Sequence, residues 1–209
     1  MIRSKNPEER RAEIVQAATD LFVELGFASC KISDIVRRVC VSQGTFYYYF
    51  TSKEAVLEAI VEVYLSRLCR DARSIADNID LNALTKLERI SDAQLAANAE
   101  HNARIHRIKG VDIHERILAG ILTRHVPIQA EVIRQGQAEG VFGDCDAQLV
   151  LELFVAAANV LFDPAFGQHT REEMERRLHF VIDSIEQALG APTGSLRFYR
   201  RLMSGGRLE

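Results

Sequence analysis

Apolar positions recur at helical spacing along almost the whole chain. In residues 8–25, Ile14, Ala17/Ala18, Leu21, Phe22 and Leu25 fall on one stripe, which predicts an amphipathic helix. Pro7 suits its first turn, Glu8 and Glu9 its positive end, and Gly26 its stop. A second short helix fits 32–39, with Ile32, Ile35, Val36 and Val39 inward, and a third fits 43–49 after a break at Cys40-Val41-Ser42-Gln43. Ser42 is placed to cap that third helix by accepting a bond near Thr45. Thr51-Ser52-Lys53-Glu54 is a capping-box pattern ahead of Leu57, Ile60/Val61, Tyr64 and Leu68, and predicts a long helix over 53–77. Further helices are expected over 82–103, 106–123, 127–138, 146–162 and 171–189. Residues 146–162 have no polar stripe, so this helix is expected to be buried from more than one side. In 171–189, Met174, Leu178, Val181/Ile182, Ile185 and Leu189 form the inward face, and Gly190 and Pro192 end it. The tail 193–209, with Arg197, Arg200, Arg201 and Arg207, is expected to be mobile.

Breaker residues support an all-α chain. No Pro lies between Pro7 and Pro127, and no Gly between Gly44 and Gly110. At 209 residues and 47% hydrophobic, the chain is long and apolar enough for a real core. The formal net charge of −3 by itself points to no nucleic acid. Its distribution changes that picture. Residues 1–53 carry eight Lys/Arg against six acids, and the remainder carries 18 against 23. The four cysteines form no C-x-x-C pair, so free thiols in a reducing cytoplasm are expected instead of a disulfide or zinc framework. The charged N-terminus has no signal-peptide core, and the longest apolar run, near 149–162, is broken by Glu152 and Asn159. No membrane partner is expected, and the expected location is the cytoplasm.

The chemistry concentrates around the third helix. Two short helices about a tight turn match a helix-turn-helix. Its second helix reads Gln43-Gly44-Thr45-Phe46-Tyr47-Tyr48-Tyr49-Phe50. Consecutive helical residues sit about 100° apart, so three successive tyrosines cannot all point inward. An exposed tyrosine can bond a phosphate and pack on sugar or a thymine methyl. Gln43 is a candidate base-edge reader, Thr45 can reach base or phosphate, and Gly44 permits close backbone approach. Lys53 is a candidate phosphate partner at the next helix start. Phe46 and Phe50 are expected to anchor the motif in its core, with Tyr47 shared between packing and contact.

Residues 10–60 resemble the N-terminal domain of the tetracycline-repressor (TetR) family of transcription regulators. The resemblance rests on Ala17-Ala18, Leu21-Phe22, Gly26-Phe27, Ile32-x-Asp34-Ile35, Val41-Ser42-x-Gly44-Thr45-Phe46-Tyr47-x-Tyr49-Phe50 and Ser52-Lys53-Glu54. It departs where Lys31 takes the usual Thr/Ser cap position, where Val36 and Val39 replace Ala, and where Cys40 replaces Gly. A left-handed Cys40 is expected to cost about 1 kcal/mol relative to Gly. The resemblance implies a helix-turn-helix domain over 1–53 and a helical effector-binding and dimerisation domain over 54–192. It also implies a homodimeric, ligand-responsive repressor of a pseudo-palindromic operator, with 146–162 and 171–189 forming the dimer bundle. The DNA-contact set is then Lys31, Ser33, Ser42, Gln43, Gly44, Thr45, Tyr47, Tyr48, Tyr49 and Lys53.

Candidates to line an effector pocket are Tyr64, Cys69, His101, His114, Phe154 and Asn159. A largely apolar pocket with few polar groups is expected. His114-Glu115 lacks the second histidine of a zinc-protease motif, because residue 118 is Leu. His101 and His106 are five apart, a poor spacing for shared ligation on a helix. No cofactor or metal is expected. The chain also shows no G-x-S-x-G, phosphate-binding glycine loop or catalytic carboxylate pair, so no enzymatic activity is expected. The alternative is a helical small-molecule carrier or enzyme whose N-terminal motif only packs.

Overall fold

The computed structural model describes residues 6–105, 108, 113–162 and 169–204; the side chains of 98–105 lie outside that description. Among the described residues the regular structure is helical throughout. The helices are α1 (Pro7–Leu25), α2 (Ile32–Val39), α3 (Gln43–Tyr49), α4 (Lys53–Ala76), α5 (Ala83–Ile105), α6 (Ile113–Gly120), α7 (Val126–Ala138), α8 (Ala147–Leu161), α9 (Arg171–Leu189) and α10 (Tyr199–Ser204). A π-helical turn, Ile121–His125, joins α6 to α7. No helix among the described residues is long and apolar enough to cross a membrane.

The chain divides into two compact units. The first comprises Met1–Ser66 with Glu100–Leu118, and the second Arg67–Ala99 with Ala119–Glu209. Helix α4 is continuous and contributes residues to both.

In the first unit, Asn6 caps α1 by accepting a bond from the Glu8 N–H at 3.2 Å. The expected stripe is buried at Ile14, Ala17, Ala18, Leu21 and Phe22. Leu25 departs from it and is exposed, at the last residue of α1 before Gly26. Phe46 of α3 and Phe50 just after it close the core, with ring centroids 6.0 Å apart. Val56, Leu57 and Ile60 of α4 and Ile113 of α6 are buried as well. The α4 cap falls on Ser52 in place of Thr51: the Ser52 hydroxyl accepts from the Ala55 N–H at 3.2 Å.

The helix-turn-helix corner turns on Cys40, which sits at φ 56° and ψ 47°, in the left-handed region. A Cβ is strained there, so Cys40→Gly is expected to stabilise the chain by about 0.5–1 kcal/mol, net of glycine's larger entropy loss on folding. A melting temperature about 2 °C higher is the readout, and a lower one would count against the strain assignment.

The second unit is built on Leu87 and Ile90 of α5, Val126, Ile128 and Ile133 of α7, Leu151 of α8 and Ile185 and Leu189 of α9, all buried together. Gly136 lets α7 lie close to its neighbours, since a Cβ there would run into the Phe142 ring. A buried Lys86 donates to the Ala76 carbonyl at 2.6 Å and to Gln135 Oε1 at 2.8 Å.

Two expectations fail in this unit. The expected break between helices 106–123 and 127–138 is absent. Instead the π turn carries the helix through it, the Val126 N–H reaching the Ile121 carbonyl. A wider turn accommodates the missing Pro127 donor without ending the helix. The start of the expected helix 106–123, at residues 106 and 107, lies outside the described residues.

The tail is the second correction. Leu196 and Tyr199 are buried, and α10 begins at Tyr199. Leu202 and Met203 also pack on the core, so the apolar spacing of this segment outweighs its four arginines. Residues 205–209 lie outside the described residues.

Candidate nucleic-acid interface

Helix α3 is short because Ser42 starts it and the extended Phe50 ends it. The Ser42 hydroxyl accepts from the Thr45 N–H at 3.0 Å and lies 2.9 Å from Thr45 Oγ1. With Phe46 turned fully inward, helical geometry puts its neighbours outward. Tyr48 is 78% exposed and Tyr47 52% exposed, while Tyr49 is half-buried. Each tyrosine is held by an edge contact: Tyr47 on Phe46 at 5.5 Å, and Tyr48 on Tyr49 at 4.9 Å. Gln43 and Gly44 are exposed and Thr45 half-buried. A Cβ on Gly44 would meet only Ser42 Oγ, at 3.7 Å, so nothing inside the described chain demands a glycine there.

Helix α2 adds a second polar edge. Lys31 precedes it and makes no side-chain cap, as a lysine has no acceptor. Asp34 supplies the capping instead, accepting from the Lys31 N–H at 3.0 Å. The Lys31 side chain is exposed and Ser33 half-buried. Arg38 is neutralised by Glu24 at 2.7 Å, and that bond holds the Glu24 carboxyl below its ordinary range.

Lys53 has a different task from the one its sequence position suggests. Its ammonium donates to the carbonyls of Phe27, Ala28 and Cys30 at 2.6, 3.4 and 3.0 Å. It also lies 4.4 Å from the centre of the Phe27 ring. All three protons are taken up inside the fold, so Lys53 fastens the α1–α2 loop and is not available to a phosphate. Lys53→Met keeps the stem but orphans those carbonyls. It is expected to cost about 2 kcal/mol in urea unfolding; a loss within 0.5 kcal/mol would overturn this role.

The candidate pocket residues are divided between the two units. Tyr64 and His114 belong to the first unit, Cys69, Phe154 and Asn159 to the second. Burial pushes the Tyr64 hydroxyl up to about 12. His114 is exposed. Asn159 is exposed too and donates to the Val155 carbonyl one turn back at 3.1 Å, so it does not line an interior cavity. Cys69 and Phe154 pack at the edge of the second core. The side chain of His101 lies outside the described residues.

Sequence spacing did not reveal the buried polar group of the second unit. His125 is fully buried, with Nδ1 2.9 Å from Gln129 Nε2, and the Tyr199 hydroxyl donates to Gln129 Oε1 at 3.0 Å. The signal available was the apolar spacing Leu196, Tyr199 and Met203 in the supposed tail. Among the described residues no cluster of three His, Cys, Asp or Glu could hold a metal ion.

The family model of the bacterial regulatory proteins of the tetR family matches residues 14–60. The N-terminal helices are thus similar to those of the TetR family. The match spans the helix-turn-helix and the start of α4.

The helix-turn-helix-type transcriptional regulator YvdT of Bacillus subtilis is 42% identical over 62 residues, 30% of this chain and 32% of that relative. The chain thus spans about a third of YvdT in that match. The repressor KstR2 of Mycobacterium tuberculosis is 26% identical over 150 residues, 68% of this chain and 74% of KstR2. In three dimensions the chain is similar to SmeT, the repressor of the Stenotrophomonas maltophilia multidrug efflux pump SmeDEF. The TM-score is 0.63 at 17% identity, covering 89% of this chain and 92% of SmeT. That likeness is one of fold.

Proposed function

We propose that the chain is a homodimeric, ligand-responsive DNA-binding transcriptional regulator, a repressor released from a pseudo-palindromic operator by a small molecule. The observation that carries this reading is α3, which turns Tyr47, Tyr48, Gln43 and an unconstrained Gly44 outward from a packed TetR-type domain. Residues 1–53 form the DNA-binding domain and 54–192 the effector and dimer domain, acting in the cytoplasm. In this reading Gln43 reads base edges, Gly44 lets the backbone close on the groove, and Tyr47, Tyr48, Thr45, Lys31 and Ser33 meet backbone and base. Tyr49 and Ser42 hold the helix in place.

The dimer is supported by helix α8. A single chain covers one side of it and leaves Leu149, Leu153 and Val160 exposed, together with Phe180 of α9. Leu153 is 73% exposed and Phe180 71%, an apolar surface that a second copy would bury. Two copies related by a two-fold axis present two α3 helices to successive major grooves. An effector bound in the 54–192 domain acts on α3 through α4, and ligand and operator weaken each other reciprocally.

The test is fluorescence anisotropy with duplexes covering the DNA that flanks the chain's own gene. Wild type is expected to bind one such duplex with an affinity that falls steeply as salt rises. Tyr48→Ala, at a site exposed in the fold, is expected to bind about tenfold more weakly, about 1.4 kcal/mol, at unchanged melting temperature. Equal affinity for the variant would remove Tyr48 from the interface. Salt-independent or undetectable DNA binding would remove the function. Light scattering that found only monomers at micromolar concentration would remove the dimer.

A further inference from the structure

The π turn places His125 in a position the rest of the helix run does not repeat. The turn ends at His125, two residues before Pro127, and the imidazole is fully buried. Its hydrogen bonds have a defined direction. The Tyr199 hydroxyl donates to Gln129 Oε1, so Gln129 presents its amide N–H₂ to His125 Nδ1. An amide nitrogen only donates, so Nδ1 is the acceptor and the ring proton is on Nε2. Nε2 is buried and has no partner among the described residues. Burial lowers the ring to about 4, so it is neutral at physiological pH. The Tyr199 end of this chain of bonds is aromatic: Phe154 lies 5.2 Å and Phe198 4.6 Å from the Tyr199 ring, centre to centre. Tyr199, Gln129 and His125 thus form a relay that ends in one unmet donor.

Buried donors are almost always satisfied, and a core that needed only packing would be served by an aliphatic residue. We propose that His125 Nε2–H is the polar anchor of the effector site, and that the effector is an uncharged, mostly apolar molecule that presents a carbonyl or ether oxygen to it. This rests on the ligand-responsive reading given above. A donor selects an acceptor. A neutral imidazole gives a carboxylate or phosphate no charge to pair with, and the buried ammonium of this unit, Lys86, is committed to Ala76 and Gln135. Phe154 and Cys69, both partly buried against the same core, fit the apolar remainder of the molecule. Nε2 is closed off from solvent, so an occupant displaces packed side chains. The π turn, one residue longer than an α turn, is where the backbone can give.

The experiment compares acetophenone with ethylbenzene, near-equal in size, the first carrying the oxygen and the second not. Titration of the full-length chain followed by thermal shift is expected to show acetophenone binding at least about tenfold more tightly. In His125→Phe the preference is expected to fall to within about twofold. In wild type labelled with ¹⁵N-histidine, the His125 Nε2–H proton is expected to move downfield on adding acetophenone, a readout that does not depend on the variant folding. No binding of either compound, equal binding of both, a preference retained in His125→Phe, or an unmoved Nε2–H resonance would each overturn the proposal. Operator anisotropy separates the two readings. Acetophenone bound at His125 without weakening DNA binding keeps the site and removes its regulatory role. DNA release by acetophenone with the His125 resonance unmoved keeps the regulation and removes the site.

Discussion

Glu186→Ala is expected to destabilise the chain by about 3 kcal/mol. Glu186 lies in the last turn of α9, where a carboxylate faces the negative end of the helix and gains nothing from it. It is buried nonetheless, because the chain reverses at a left-handed Gly190 and returns two backbone donors to it. The Gly194 and Leu196 N–H groups reach its two oxygens at 2.7 and 2.8 Å. Removing the carboxylate orphans both donors, one of them on fully buried Leu196, and loosens the segment that carries Tyr199. Charge-assisted hydrogen bonds of this kind contribute about 1.5–3 kcal/mol each. Glu186→Gln keeps one acceptor and should lose roughly half as much. Urea unfolding of the three proteins checks this. A loss below 1 kcal/mol for the alanine variant would show that the 191–196 turn holds without the carboxylate.

Acid is expected to weaken the second unit before its carboxylates titrate. Desolvation lowers His125 from the ordinary 6.5 to about 4. Below pH 6.5 the unfolded chain takes up a proton on this residue while the folded chain does not. Stability is therefore fully present above about pH 6.5 and falls as pH drops towards 4. Integrated over that window, the contribution is about 3 kcal/mol. Hydrogen bonding holds the Glu131 carboxyl low through Arg73, and the Glu139 carboxyl low through the Ala83 N–H and Gln135. Their losses come at more acid pH, which leaves the upper part of the window to the histidine. Unfolding free energies at pH 7, 6, 5 and 4.5 for wild type and His125→Gln are the measurement. The variant should show a flatter dependence from pH 6.5 to 4.5; parallel curves would exclude His125 as the source.

These two effects come from parts of the chain that sequence patterns described poorly. Four arginines dominate the composition of the segment that holds Leu196 and Tyr199 and suggest a tail, yet the apolar residues among them decide its packing. His125 was expected in a gap, since the proline rule predicts an end to the helix and does not predict the rarer π turn. A cation at a helix start suits an anion, so sequence position alone points Lys53 to a phosphate. Three carbonyls of the α1–α2 loop, more than twenty residues away in sequence, claim it first. Helix α8 shows the opposite relation. Its lack of a polar stripe was plain in sequence, and the single chain leaves that surface uncovered.

By itself the sequence determined the helical class, the order and most boundaries of the helices, the Ser42 cap, and the aromatic anchors Phe46 and Phe50. These follow from side-chain period and capping chemistry within a few neighbouring residues. It also determined the strained corner at Cys40, since a left-handed turn without glycine is a local property. Tertiary structure alone decided which polar groups meet. Lys53 with the loop carbonyls, Glu186 with the returning chain, and His125 with Gln129 and Tyr199 depend on residues brought together from as many as 70 positions apart. Burial then sets their energies, because a hydrogen bond or proton that is cheap to exchange with water becomes costly to lose once water is excluded.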